Sequence, residues 1–123
     1  MTGLQIDLAD GRRAFRPGES LTGVVSWNVS GVTSAELRLF WYTRGKGTQD
    51  VGLVDTVAFS NPLSSDRRPF RLALPDGPYS FSGPLISILW AIELILEPGP
   101  SVERREIVIS PSEKEVVVTH ASA

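Results

Sequence analysis

Apolar and polar positions alternate with a period of two along most of this chain, the spacing of strands whose successive side chains point to opposite faces. Leu4, Ile6 and Leu8 point one way while Gln5 and Asp7 point the other. After the turn segment RPGES (Arg16–Ser20), Leu21, Gly23, Val25, Trp27 and Val29 share a face opposite Thr22, Ser26 and Asn28. Ala35, Leu37, Leu39 and Trp41 then alternate with Glu36, Arg38, Phe40 and Tyr42. A glycine-rich link, TRGKGTQD (Thr43–Asp50), leads to a weaker strand over Val51–Phe59, and Phe70, Leu72 and Leu74 alternate with Arg71 and Ala73.

Between Leu74 and Leu96 the pattern changes character. Leu74–Pro84 is rich in proline, glycine, serine and aromatics, whereas Leu85–Leu96 is apolar apart from Ser87 and Glu93. Ile86, Ile88, Trp90, Ile92, Leu94 and Leu96 are all even-numbered and large, and the odd positions are mixed, with Glu93 and Glu97 among them. A helix would scatter these two sets around its circumference, whereas a strand sorts them onto two faces. The isoleucines favour the pleated state, and Pro84 is tolerable as the first residue of a strand. The run therefore predicts a long central strand with a core face from Ile86 to Leu96 and both carboxylates outside. EPGPS (Glu97–Ser101) turns the chain into Val102–Ser110, and SPSEKE leads to a last strand over Glu115–Thr119. The pattern as a whole predicts an all-β fold, an antiparallel immunoglobulin-like β-sandwich of about seven to nine strands. Residues 1–119 read as one domain and 120–123 as a disordered tail.

Composition narrows the functional classes. The chain has 123 residues, enough for one well-buried domain. Twelve basic and fourteen acidic residues give a net charge of −2, so neither nucleic acid nor an anionic membrane is indicated as a partner. The longest apolar run is about a dozen residues, short of the roughly 20 a membrane span needs, so no membrane insertion is expected. The chain contains no cysteine, which removes disulfides, thiolate nucleophiles and cysteine metal sites. With no signal-peptide core in MTGLQIDLADGRRAF, a cytoplasmic setting is expected.

Two motifs carry a resemblance. FRPGESLTGVVSW (Phe15–Trp27) resembles the early signature of arrestin-like domains, a phenylalanine followed by P-G-E, an apolar residue, glycine and valine. RPFRLALPDGPYSFSGPLISILWAIEL (Arg68–Leu94) resembles the later pattern of the same half-domain, seen most clearly in alpha-arrestins. Phe70, Leu72, Leu74 and Pro75 supply its first part, Pro78, Ser80, Phe81 and Gly83 its second, and Trp90 stands where the family often has tyrosine. The resemblance implies a single arrestin-like lobe acting as an adaptor or scaffold that binds other proteins. The family pairs two such sandwiches in one chain, and this chain has length for one. Pairing of two copies, a homo-oligomer, is therefore a further expectation.

Catalytic chemistry has little to stand on. The one histidine, His120, lies in the tail, so no Ser-His-Asp or Cys-His arrangement can be assembled in a core cleft. Asp76 falls in a turn, Asp50 and Asp55 flank a strand, and Glu93 and Glu97 lie on an outer face, so no carboxylate pair is set up for glycoside chemistry. No calcium-loop pattern is present, and no cofactor or metal is expected. The arginine pairs Arg12–Arg13, Arg67–Arg68 and Arg104–Arg105 suit phosphate. Adjacent strand residues face opposite ways, however, so each pair offers one side chain to any face, and solvated surface is the stronger reading.

The candidate site is therefore a contact surface, and the expected partner is a protein. Phe40 and Tyr42 fall on the polar face of their strand beside Arg38 and Arg44, and Lys46 stands in the flexible link that follows. Outward aromatics mark an interaction patch in one reading and simple sheet stabilisation under a covering neighbour in the other. Phe40, Tyr42, Arg44 and Lys46 form the candidate protein-interaction set, with an edge strand as a second means of contact. A carbohydrate-binding module, stacking sugars on Phe40, Tyr42 and Tyr79, is the alternative.

Overall fold

The computed structural model describes residues 3–45, 49–83, 85–112 and 116–117. Its strands are β1 (Gly3–Leu8), β2 (Ala14–Phe15), β3 (Ser20–Asn28), β4 (Ser34–Gly45), β5 (Val51–Phe59), β6 (Ser65–Ala73), β7 (Phe81–Ser82), β8 (Ile86–Glu97), β9 (Ser101–Ile109) and β10 (Val116–Val117). A single 3-10 turn, Ala9–Gly11, follows β1. Strands β1, β3 and β6 form a small antiparallel sheet with β3 in the middle. The other seven form the large sheet, in which β8 pairs with β4 on one side and with β7 and β9 on the other. The two-sheet, all-β sandwich is the fold that the alternation predicts.

The inner faces meet in one core. Leu21, Val25 and Trp27 of β3 and Phe70 and Leu72 of β6 pack against Leu37, Leu39, Trp90, Ile92, Leu94, Leu96, Ile107 and Ile109 of the large sheet. Both fully packed tryptophans have their indole N–H satisfied, as buried tryptophan requires. Trp27 Nε1 donates to the Leu63 carbonyl at 2.6 Å and Trp90 Nε1 to the Pro78 carbonyl at 2.7 Å. The second bond gives the proline-rich stretch before β8 a role: the loop carries the acceptor for the strand's own tryptophan.

The two motifs are bonded to each other. Glu19 closes the P-G-E turn by accepting the Arg16 N–H at 2.8 Å and taking the Arg12 guanidinium. Gly18, at φ +78°, occupies the left-handed region that favours glycine. Gly18 N–H then donates to the Pro75 carbonyl at 3.3 Å and Leu74 N–H to the Glu19 carbonyl at 2.9 Å. Ser80 of the second motif is buried and grips the end of β9, donating its N–H to the Ile109 carbonyl at 2.8 Å and accepting the Ile109 N–H on its hydroxyl at 3.0 Å.

Several details differ from the pattern. The core face of β8 begins at Trp90, not Ile86: Ile86 is 37% exposed and Ile88 half-buried, at the end of the strand that pairs with short β7 and the end of β4. The opposite face of β8 is also buried, at Leu89, Ala91 and Ile95, because long side chains from β4 and β9 fold over it. Two short pairings are parallel, β2 with β9 and β10 with β7, so the sandwich is not purely antiparallel. Each joins segments far apart in the chain, which parallel pairing requires. Strand β4 continues to Gly45, through the first three residues of the expected link. Of the expected last strand, Val116 and Val117 are described, and the tail 120–123 lies outside the described residues.

A candidate interaction face on the large sheet

The outer face of the large sheet is built row by row from paired positions. Tyr42 stands between Val51 of β5 and Leu89 of β8. Phe40 stands between Leu53 and Ala91, and Glu106 of β9 lies beyond Ala91. Arg38 stands opposite Thr56 on one side and Glu93 on the other, with Arg104 beyond Glu93. Paired residues share a face, so these side chains rise from one surface.

Arg104 organises it. Its guanidinium lies 5.0 Å from the Phe40 ring centroid and 5.3 Å from that of Tyr42, within the range of cation–π attraction. Its Nε donates to Glu93 Oε2 at 3.0 Å, which holds the cation close to the rings. Phe40 and Tyr42 pack at 6.0 Å between centroids, and the Tyr42 hydroxyl donates to Glu106 Oε2 at 3.1 Å. As a result Phe40, expected as an outward aromatic, is on the outer face but only 7% exposed. Small Ala91 beside it leaves room for the ring to lie down, and Arg104 and Tyr42 close over it.

What remains open is a depression of about 430 Å³, lined by Arg38, Tyr42, Arg44, Val51 and Leu53 above a floor of Phe40, Glu93 and Arg104. Arg38 is paired with Glu36 and Arg104 with Glu93. Arg44 has only the Tyr42 hydroxyl, at 3.5 Å, and no carboxylate partner among the described residues. Val51 and Leu53, on the rim, are 69% and 60% exposed. Lys46, the fourth expected site residue, lies outside the described residues. Tyr79, expected for sugar stacking, is 42% exposed but does not line this depression.

Val51 and Leu53 belong to an edge strand, since among the described strands β5 pairs with β4 alone. The pairing slips by one residue between Leu39 and Phe40, a bulge that leaves Val54 without an opposite number. Asp55 follows it, its carboxylate accepting the Thr56 N–H at 2.8 Å. A bulge and a charge in mid-strand are devices that restrict pairing at an edge.

The arginine pairs behave mostly as surface. Arg104 and Arg105 point to opposite faces, as strand geometry dictates, and Arg68 is tied to Asp66. Arg105 is the exception that the alternation did not reveal. From the inner side of β9 it reaches β1, donating to the Ile6 carbonyl at 3.2 Å, while its buried Nε has no partner. It shares a crevice of about 320 Å³ with Gln5, Asp7, Arg12 and Arg13. Two carboxylates elsewhere are held well below their usual range: Glu19 at about 2, mainly by the hydrogen bond from Arg12, and Asp66 at about 2, mainly by that from Arg68. Among the described residues no three histidine, aspartate or glutamate side chains cluster as a metal site would require, and no helix is long and apolar enough to cross a membrane.

No protein-family model and no curated protein sequence matches the chain. Among solved structures it is similar to Spo0M, the sporulation control protein of Bacillus subtilis, with a TM-score of 0.67 and 17% identity over 89% of this chain and 49% of that one. The two share a fold. This chain spans about half the length of Spo0M. It is also similar to a superoxide reductase (neelaredoxin) from Ignicoccus hospitalis, with a TM-score of 0.51 and 16% identity over 89% of this chain and 82% of that one. At such identities the likeness is one of architecture, and chemistry does not follow from it. Membership of the arrestin family rests on the two motifs as a resemblance, and the likeness to Spo0M is consistent with the fold they imply.

Proposed function

We propose that this domain is a non-enzymatic protein-interaction module, an adaptor or scaffold unit whose contact surface is the outer face of the large sheet. The observation that carries the reading is the depression itself, in which exposed Val51 and Leu53 flank half-buried Tyr42 and a cation, Arg44, that has no carboxylate partner among the described residues. Aromatic, arginine and apolar groups gathered in one concave patch are the composition of protein contact sites. The arrestin-like motifs and the likeness to a sporulation control protein are compatible with such a role, and the lack of cysteine suits a reducing, cytoplasmic setting.

The test is affinity capture from native cells with the wild type and the double variant Arg38→Glu/Tyr42→Ser, both checked for fold by near-ultraviolet circular dichroism. The variant should lose a protein that the wild type and a control, Arg67→Ala on the small sheet, recover. Identical recoveries from all three would sink the reading. The sugar-binding alternative has less support, because both faces a sugar could use on Phe40 are covered. Tryptophan fluorescence that responds to any member of a saccharide panel would revive it.

A further inference from the structure

Resting on that reading, we infer that the depression takes an extended acidic peptide of a protein partner, its carboxylate set on Arg44 and its apolar side chains over the two rows that follow.

The charge of the depression selects the occupant. Three arginines, Arg38, Arg44 and Arg104, line it against two carboxylates, Asp50 and Glu93. Glu93 is taken by Arg104. Glu36 and Glu106, on the same face, are taken by Arg38 and by the Tyr42 hydroxyl. Asp50 forms no ion pair with Arg44 among the described residues, where that guanidinium meets only the hydroxyl and ring of Tyr42. The positive excess of the lining therefore sits at exposed Arg44. Two guanidiniums also flank one ring, Arg44 at 6.0 Å and Arg104 at 5.3 Å from the Tyr42 centroid. A carboxylate entering above Tyr42 is attracted by both, and arginine can hold it through two parallel N–H bonds. The net charge of −2 gives an anionic membrane no general attraction to the molecule, which favours a local acidic group over a charged surface.

The spacing of the rows sets the pattern of the peptide. Same-face residues of a strand repeat about every 7 Å. From Arg44 that interval meets first the Tyr42–Val51 row and then the Phe40–Leu53 row. An extended peptide has the same repeat. With its acidic residue facing Arg44, its next two same-face side chains lie over Val51 and Leu53, the most exposed apolar groups of the rim. The pattern is an acid followed by apolar residues at every second position.

The experiment is an amide-shift NMR titration with the capped peptides ETLTLT and TLTLTE, which present that pattern in either direction, and with their glutamine counterparts. One acidic peptide should shift the amides of Tyr42, Arg44, Val51 and Leu53. Its glutamine form should bind about tenfold more weakly or worse, through loss of the charged contact. Arg44→Glu should lose binding to the same extent, and Arg44→Lys should keep part of it. Failure of both acidic peptides, equal affinity for the glutamine forms, shifts confined to another face, or unchanged affinity in Arg44→Glu each overturns the inference. Phosphatidylserine vesicles that bind the wild type but not Arg44→Glu, where the peptides fail, would give the face to lipid instead. A dimer mass in sedimentation equilibrium that Arg44→Glu abolishes, again without peptide binding, would give it to a second copy. A partner captured through Tyr42 that Arg44→Glu still recovers overturns the acidic peptide and leaves the interaction reading standing. Peptide binding with no partner captured separates the two in the other direction.

Discussion

Two carboxylates carry the clearest pH dependence among the described residues. Glu19, ordinarily near 4.5, is held at about 2 by Arg12 and by the Arg16 N–H. Its folded value lies below its unfolded one, so its contribution is present above pH 4.5 and is lost as pH falls toward 2. Asp66, ordinarily near 3.8 and held at about 2 beside Arg68, acts in the same direction. Thermal unfolding followed from pH 6 to pH 2 should show a falling midpoint below pH 4.5. Glu19→Gln should lower the midpoint at pH 6 and flatten the decline, and an unchanged slope would remove Glu19 as a contributor. The P-G-E turn was legible because proline, glycine and glutamate at those spacings have few other uses. That Gly18 and Glu19 of the turn also bond Pro75 and Leu74 was not, since nothing in a linear pattern says which distant backbone groups a turn will face.

Strand β8 shows where a periodicity argument succeeds and where it stops. Alternation identified a strand, its central place and the inner set Trp90, Ile92, Leu94 and Leu96. It assigned the odd positions to the outside, and they are outside. They are nonetheless buried at Leu89, Ala91 and Ile95, because β8 is flanked on both edges by strands with long side chains. Phe40 and Arg104 depend on this second small core. Ala91 is fully buried beside Phe40, so Ala91→Leu should destabilise by about 1–3 kcal/mol through overpacking. It should also lift Phe40 and Arg104 from their places, measurable by urea unfolding and by the near-ultraviolet signal of the aromatic pair. Full tolerance of leucine there would show that the outer layer is loosely packed.

Across the sandwich, most of what joins the sheets is apolar, and one polar strut departs from that. Arg105 leaves β9 on the core side, anchors on the Ile6 carbonyl of β1 and buries an unpaired Nε. An unpaired buried donor costs about 1–3 kcal/mol, while the rest of the guanidinium is partly exposed beside Glu103 at 3.8 Å, a surface ion pair that adds little. Arg105→Met should therefore match or exceed wild-type stability in urea, while Arg105→Ala, which empties the crevice, should fall below it. If methionine costs as much as alanine, the strut and not its packing holds β1 to β9.

Side-chain alternation was enough to read most strands, their facing and the two-sheet class, because it is local and the inner set had to be buried somewhere. The sequence also determined what chemistry is absent from the repertoire, since a chain without cysteine cannot make a thiolate site. Which outward residues stay outward was settled by packing between strands. Phe40 was indistinguishable from an exposed anchor until Arg104, sixty-four positions later, was seen lying over it. Val51 and Leu53 became neighbours of Tyr42 and Phe40 only once β4 and β5 were set in register, past the bulge. Neighbourhood on a sheet depends on which strands pair and in what register. Those choices are made by the whole core at once, not by any stretch of chain.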